Sequence, residues 1–171
     1  VPPETLDTID VSQGVTWIHI DGVHDLSLIE KIGATFNLHT LLLEDIVNTR
    51  QRPKVEDYND HLYIVMKTFD FDHGRFGLRE EQVSFILGPG YVNSLEEKKG
   101  DIYEPVRERL RQGRGKIRSM GADFLVYSLI DAVVDSYFSL VEGLGDNLET
   151  LEALLVSRIP THETITTIHR L

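Results

Sequence analysis

The spacing of apolar positions changes period along the chain, and each change marks an element. Val15-Thr-Trp-Ile-His-Ile20 is rich in β-branched and aromatic residues and closes at Asp21-Gly22, which predicts a strand ended by a turn. Ser27 and Glu30 then have capping-box spacing, and Leu28, Ile29, Ile32 and Phe36 form a helical stripe running to Asn37. A second, short helix carries Leu41-Leu-Leu-Glu-Asp-Ile-Val47. Beyond Pro53 the period falls to that of strands, with runs at 62–69, 76–87 and 91–95. The turn signals Asp72-His-Gly74 and Gly88-Pro-Gly90 separate them, so antiparallel hairpins are expected. Tyr103 to Gln112 reads as a charged surface helix, with Pro105 in its first turn and Gly113 near its end.

The most informative run extends from Gly121 to about Ser157. Ile130, Val134, Tyr137, Val141, Leu144, Leu148, Leu151 and Leu155 are spaced alternately by four and three, a heptad seam. A helix of this length reaches roughly 54 Å, more than a small domain requires. Its seam predicts pairing with another helix, and an antiparallel hairpin formed with a helix beginning near Thr161 is the simplest partner. Ordinary core packing against the sheet is the alternative. Gly143 and Gly145 each cost about 1 kcal/mol relative to Ala in a helix interior, so a bend is expected there. The predicted fold class is α/β: an α/β/α layered domain with a mainly antiparallel sheet over 1–118, followed by a long-helix hairpin over 119–171.

Composition narrows the function. The chain has 171 residues, 41% hydrophobic and 26% charged, and no low-complexity run, which describes a continuous folded unit. The net charge of −11 argues against nucleic acid or anionic lipid and makes cations the natural charged partner. With no cysteine, disulfides, thiolate-zinc sites and a cysteine nucleophile are excluded. No stretch is expected to span a bilayer, because the richest, Phe124 to Leu144, carries Asp131, Asp135 and Glu142. A start at Val1-Pro-Pro and an end inside a helical pattern at Thr164 to Leu171 suggest a piece of a longer chain.

Two acidic pairs are candidates for chemistry. Asp131 and Asp135 lie four apart on one helical face beside the seam, where like charges repel and a divalent cation or an arginine would relieve them. Glu44 and Asp45 follow three leucines and point about 100° apart, so they suit two different partners better than one shared ion. Carboxylates of this kind fit hard cations such as Mg2+. The run Glu96-Glu-Lys-Lys-Gly-Asp101 reads as solvated surface. Arg107, Arg109, Arg111, Arg114, Lys116 and Arg118 form the strongest basic cluster, expected to pair with acids of the chain, with a phosphate- or lipid-headgroup role as the alternative. The seven histidines are scattered, and no His-Glu-x-x-His, Gly-x-Ser-x-Gly or phosphate-loop motif occurs, since Gly113-Arg-Gly-Lys116 is followed by Ile117.

Three segments, taken in order, resemble one family. They are Leu43-Glu-Asp-Ile-Val-Asn48 with Gln51-Arg-Pro-Lys-Val-Glu56, then Glu81-Gln-Val-Ser-Phe-Ile-Leu87, then Asp123-Phe-Leu-Val-Tyr-Ser-Leu-Ile-Asp-Ala-Val-Val-Asp135. Together they resemble the CorA magnesium and cobalt channels, and Gly100 to Leu110 is similar to that family too. The resemblance implies a non-enzymatic domain on the cytoplasmic face of the cell membrane, five copies of which form a funnel beneath a pore. It also implies that Mg2+, and Co2+ as a related ion, binds between protomers and holds the closed state. The matching acids are Asp45 at one site and Glu44 with Asp131 at the other, and spacing adds Asp135. The stalk helix, the membrane spans, the Gly-Met-Asn motif and the remaining ligands would lie beyond Leu171. A related zinc transporter, a metal-dependent hydrolase using Glu44, Asp45 and Asp131, and an inert assembly scaffold are the alternatives.

Overall fold

The computed structural model describes residues 6, 9–11, 14–72, 77–98, 100 and 102–157. Its elements, in chain order, are β1 (Thr16–Asp21), α1 (Leu26–Thr35), α2 (Thr40–Val47), β2 (Lys54–Asp57), β3 (Leu62–Asp72), β4 (Gly77–Gly88), β5 (Tyr91–Glu96), α3 (Glu104–Gln112) and α4 (Ala122–Ser157). The strands form one sheet in the order β1-β5-β4-β3-β2. Three of the four pairings are antiparallel, while β1 runs parallel to β5.

Side chains alternate across this sheet, and each face has its own core. Ile18, Ile20, Tyr63, Val65, Ile86, Tyr91 and Leu95 meet Ile29, Ile32, Leu42 and Ile46 of α1 and α2. On the other face Ile64, Val83, Phe85 and Val92 meet Val106 of α3 and Leu125, Val126, Leu129 and Val133 of α4. The result is the expected α/β/α layering with a mainly antiparallel sheet. All six residues of β5 are buried, because it lies inside the sheet and is covered on both sides.

The local details depart from the sequence reading in three places. The α1 N-cap is Asp25, whose carboxylate accepts from the Leu28 amide at 3.2 Å, so Ser27 and Glu30 form no capping box. Asn37, at φ +51°, ends that helix in the left-handed region. The short strand β2 was not expected, since its four residues alternate between half-buried and exposed and carry only one apolar side chain. The parallel β1–β5 pairing joins strands about 75 residues apart, which no local signal could announce. The Asp72-His-Gly74 turn lies partly outside the described residues, and the second helix of the expected hairpin lies wholly outside them.

Helix α4 serves two surfaces. Its first three turns bury Leu125, Val126, Leu129 and Val133 against the sheet, and the Tyr137 hydroxyl donates to the Lys67 carbonyl. Further along the seam, Val134, Val141 and Leu148 are exposed, as is neighbouring Phe138 at 66%. The segment Ala122–Thr150 is also long and apolar enough to cross a membrane by length and composition, with a mean hydropathy of 1.6. That corrects the expectation drawn from its three acids, which are spaced widely enough to leave an 18-residue window with at most two charges. Of that window, 28% is buried inside the fold.

Candidate functional site

The first acidic pair sits on α2, a helix held over the sheet by Leu42 and Ile46, both fully buried. Glu44 projects from its exposed side, whereas Asp45 is half-buried. The Lys54 ammonium of β2 donates to Asp45 Oδ2 at 2.8 Å and to Glu56 Oε1 at 3.0 Å, and the Tyr58 hydroxyl donates to Glu56 Oε2 at 3.1 Å. Against the penalty of partial desolvation, these bonds raise Lys54 above the ordinary lysine range, and Lys54 holds Glu56 below the usual carboxylate value. Gln51 donates to the Asp45 carbonyl, Gln82 to that of Ile46 and Lys67 to that of Thr49 at 2.8 Å. Donors from three strands or their approaches thus collect at the carbonyl-rich end of α2, where a helix favours positive charge.

The second pair sits on α4. Asp131 and Asp135 are both exposed, so burial adds nothing to their mutual repulsion. Both acids point away from the Leu129–Val133 contact with the sheet. Three of the four carboxylates in question therefore face outward, and the fourth, Asp45, accepts from Lys54 through Oδ2. This donor set suits a hard divalent ion that retains much of its water.

A different cluster escaped the sequence reading. His19 and Asp21, two apart on β1, stand beside Ser94 and Glu96, two apart on β5, because the parallel register pairs His19 with Ser94 and Asp21 with Glu96. All four lie on the α3/α4 face, at the carboxyl ends of both strands. His19 Nε2 is 3.0 Å from Asp21 Oδ1 and 4.0 Å from Glu96 Oε2, and Nδ1 is 2.9 Å from Ser94 Oγ, which also accepts from Trp17 Nε1 at 2.8 Å. Among the described residues this is the one group of three metal-ligating side chains whose donor atoms lie within 4.8 Å of each other.

Glu96 is the anomaly. It is 4% exposed, its Oε2 accepts from the Gly100 amide at 3.0 Å, and its Oε1 is buried with no hydrogen-bond partner. A Cβ at Gly100 would come within 2.9 Å of Oε2, so the loop closes over the carboxylate as tightly as glycine permits. Burial raises Glu96 to about 7, opposed by the Gly100 bond, and burial lowers the His19 imidazole, opposed by Asp21. The Tyr103 ring lies edge-on to His19 with centroids 5.4 Å apart, and the Arg107 guanidinium lies 5.5 Å over Trp17. The reading of Glu96 as solvated surface is thereby corrected: it ends a central strand, and only the following residues turn outward. The basic cluster behaves as expected where Arg111 pairs with Glu104 and Glu108, and Arg107 with Glu104 at 3.7 Å.

Comparison with known proteins adds the following. The family model described as "CorA-like Mg2+ transporter protein" matches residues 12–171. The cobalt/magnesium transport protein CorA of Thermotoga maritima is 46% identical over 156 residues, 91% of this chain and 44% of that protein. The magnesium transporter ALR2 of Saccharomyces cerevisiae is 28% identical over 130 residues, 71% of this chain and 14% of its own length. The chain thus spans less than half of either relative. Among solved structures, the complete CorA magnesium transporter of Methanocaldococcus jannaschii superposes with a TM-score of 0.72 at 19% identity, covering 91% of this chain and 48% of that one. The ZntB cytoplasmic domain of Vibrio parahaemolyticus gives 0.66 at 10% identity, covering 91% and 61%.

Proposed function

Because the chain belongs to the CorA-like Mg2+ transporter family, we propose that it is the cytoplasmic Mg2+-sensing domain of a divalent-cation channel, working as part of a homopentamer. The observation that carries this reading is the outward placement of Glu44, Asp131 and Asp135 on a fold shared with such transporters. Acids turned into solvent from two separate helices, α2 and α4, are available to a neighbouring copy. Acids sunk in the core would not be.

The mechanism follows from electrostatics. Carboxylates of adjacent protomers repel when the protomers close up, more so in a protein of net charge −11. A bound divalent ion supplies the positive charge that lets such groups share a small space. Asp45 serves one interface, Glu44 with Asp131 the other, and Asp135 extends the second. Closure is favoured only if the closed arrangement binds the ion more tightly than the open one. A fall in Mg2+ then releases the interfaces. The exposed stripe Val134, Phe138, Val141 and Leu148 is apolar surface that a neighbouring helix would cover in such an assembly. The relatives are transporters, which agrees with a non-enzymatic role, and the 46% identical relative is a cobalt/magnesium transport protein, which favours magnesium and cobalt over zinc as cargo.

The test is the full-length channel carrying Asp45→Asn together with Asp131→Asn. Limited proteolysis with and without Mg2+ should show protection in the parent and its loss in the double variant. Undiminished protection would remove these residues from the mechanism.

A further inference from the structure

We infer that His19, Asp21 and Glu96 form a three-ligand site for a divalent transition-metal ion of the zinc or cobalt kind, separate from the carboxylates of α2 and α4. Three observations carry the inference. The ligand atoms are gathered already, with separations of 3.0 and 4.0 Å from His19 Nε2. A tetrahedral ion with bonds of about 2.0 to 2.2 Å places its ligands about 3.4 Å apart, which lies between those two values. Small side-chain adjustments therefore suffice.

The second observation is Glu96 itself. A His19–Asp21 hydrogen bond explains two members of the group and leaves the third unexplained. Glu96 is almost wholly shielded, faces the Asp21 carboxylate across the strand pair, and keeps Oε1 without a partner. A cation held between the two carboxylates and the imidazole would take Glu96 through Oε2, the oxygen that lies 4.0 Å from His19 Nε2 and also accepts from the Gly100 amide. Arg107 is nearby, but its guanidinium is drawn over Trp17 and toward Glu104.

Third, the surroundings suit an imidazole-bound ion. When Nε2 binds the metal, Nδ1 must carry the proton, and Ser94 Oγ lies 2.9 Å away to accept it. The fourth position is left for water, because Asp21 is exposed and Glu96 also lines a cleft of about 320 Å³ with Asp70, Glu81 and Lys98. A nitrogen ligand with two carboxylates favours Zn2+ or Co2+, whereas Mg2+ prefers oxygen ligands alone. Bound there, the ion ties edge strand β1 to β5 and to the loop after Glu96.

Trp17, the chain's single tryptophan, provides the readout, with its ring centroid 6.2 Å from that of His19. Titration of the chain with CoCl2 should quench its fluorescence saturably at one equivalent and produce visible absorption of low-symmetry Co2+, and ZnCl2 should reverse both. Millimolar MgCl2 should reverse neither. Asp21→Asn, on an exposed side chain that the fold does not need, should weaken the response at least about tenfold, and His19→Gln should abolish it. Glu44→Gln, Asp45→Asn and Asp131→Asn should leave it unchanged, which keeps this site distinct from the channel reading. The inference is overturned if quenching is not saturable below roughly 100 μM, if Asp21→Asn responds like the parent, or if Mg2+ competes on equal terms.

Discussion

Lys54 shows how one side chain can organise a surface. It comes from β2, reaches Asp45 of α2, and leaves only part of that carboxylate for any other cation. Lys54→Met should cost about 1 kcal/mol, the scale of a half-exposed charged pair, measured as a lower urea midpoint at constant slope. Glu96 makes the opposite case. Its native pKa of about 7 stands above the ordinary value of 4.5, so the folded protein holds a proton that the unfolded chain releases between those pH values. Stability contributed by this group is complete below pH 4.5 and lost as pH rises through 7, roughly 3 kcal/mol in all. In EDTA, Glu96→Gln should flatten that fall, read from chemical melts at pH 5 and pH 7.5. The sequence hid Glu96 because it opens a run of charged residues that turns outward one residue later. It was legible only as half of a period-two pair with Ser94, and that pair gains meaning once β1 lies beside it.

At the level of elements, most of the molecule could be read from periodicity. The two helices before Pro53, the three long strands and the charged helix stand close to where the pattern put them, because the first five have an apolar face and the charged helix is marked by Pro105 in its first turn and left-handed Gly113 at its end. β2 failed this test because a four-residue strand with one apolar side chain has no pattern to show. Its place depends on the β3 edge and on the Lys54 bonds. The heptad seam of α4 was legible as a stripe, but its division between two surfaces was not. Leu129, wholly buried against the sheet, and Leu148, 52% exposed, separate these roles. Leu129→Ala should lower stability by about 2 to 4 kcal/mol, whereas Leu148→Ala should stay within about 0.5 kcal/mol in the isolated chain. If the full-length protein forms the proposed pentamer, Leu148→Ala should reduce the pentamer fraction seen by analytical ultracentrifugation.

Across the whole molecule, two cores flank one sheet, and the acids proposed for Mg2+ come from opposite sides of it: α2 over one face and α4 over the other. Protomers arranged in a ring would expose both sides to neighbours, which is the arrangement two distinct interfaces require. The parallel strand pair has a temporal meaning as well. Thr16 to Asp21 find their partners only when Tyr91 to Glu96 exist, so β1 waits through the making of three strands and two helices. Closing so long a loop is slow, and contacts made late leave their mark on unfolding rather than folding. Ile18→Val should therefore speed unfolding in stopped-flow experiments and leave the refolding rate nearly unchanged. During synthesis, β1 would then stay undocked until β5 has been made.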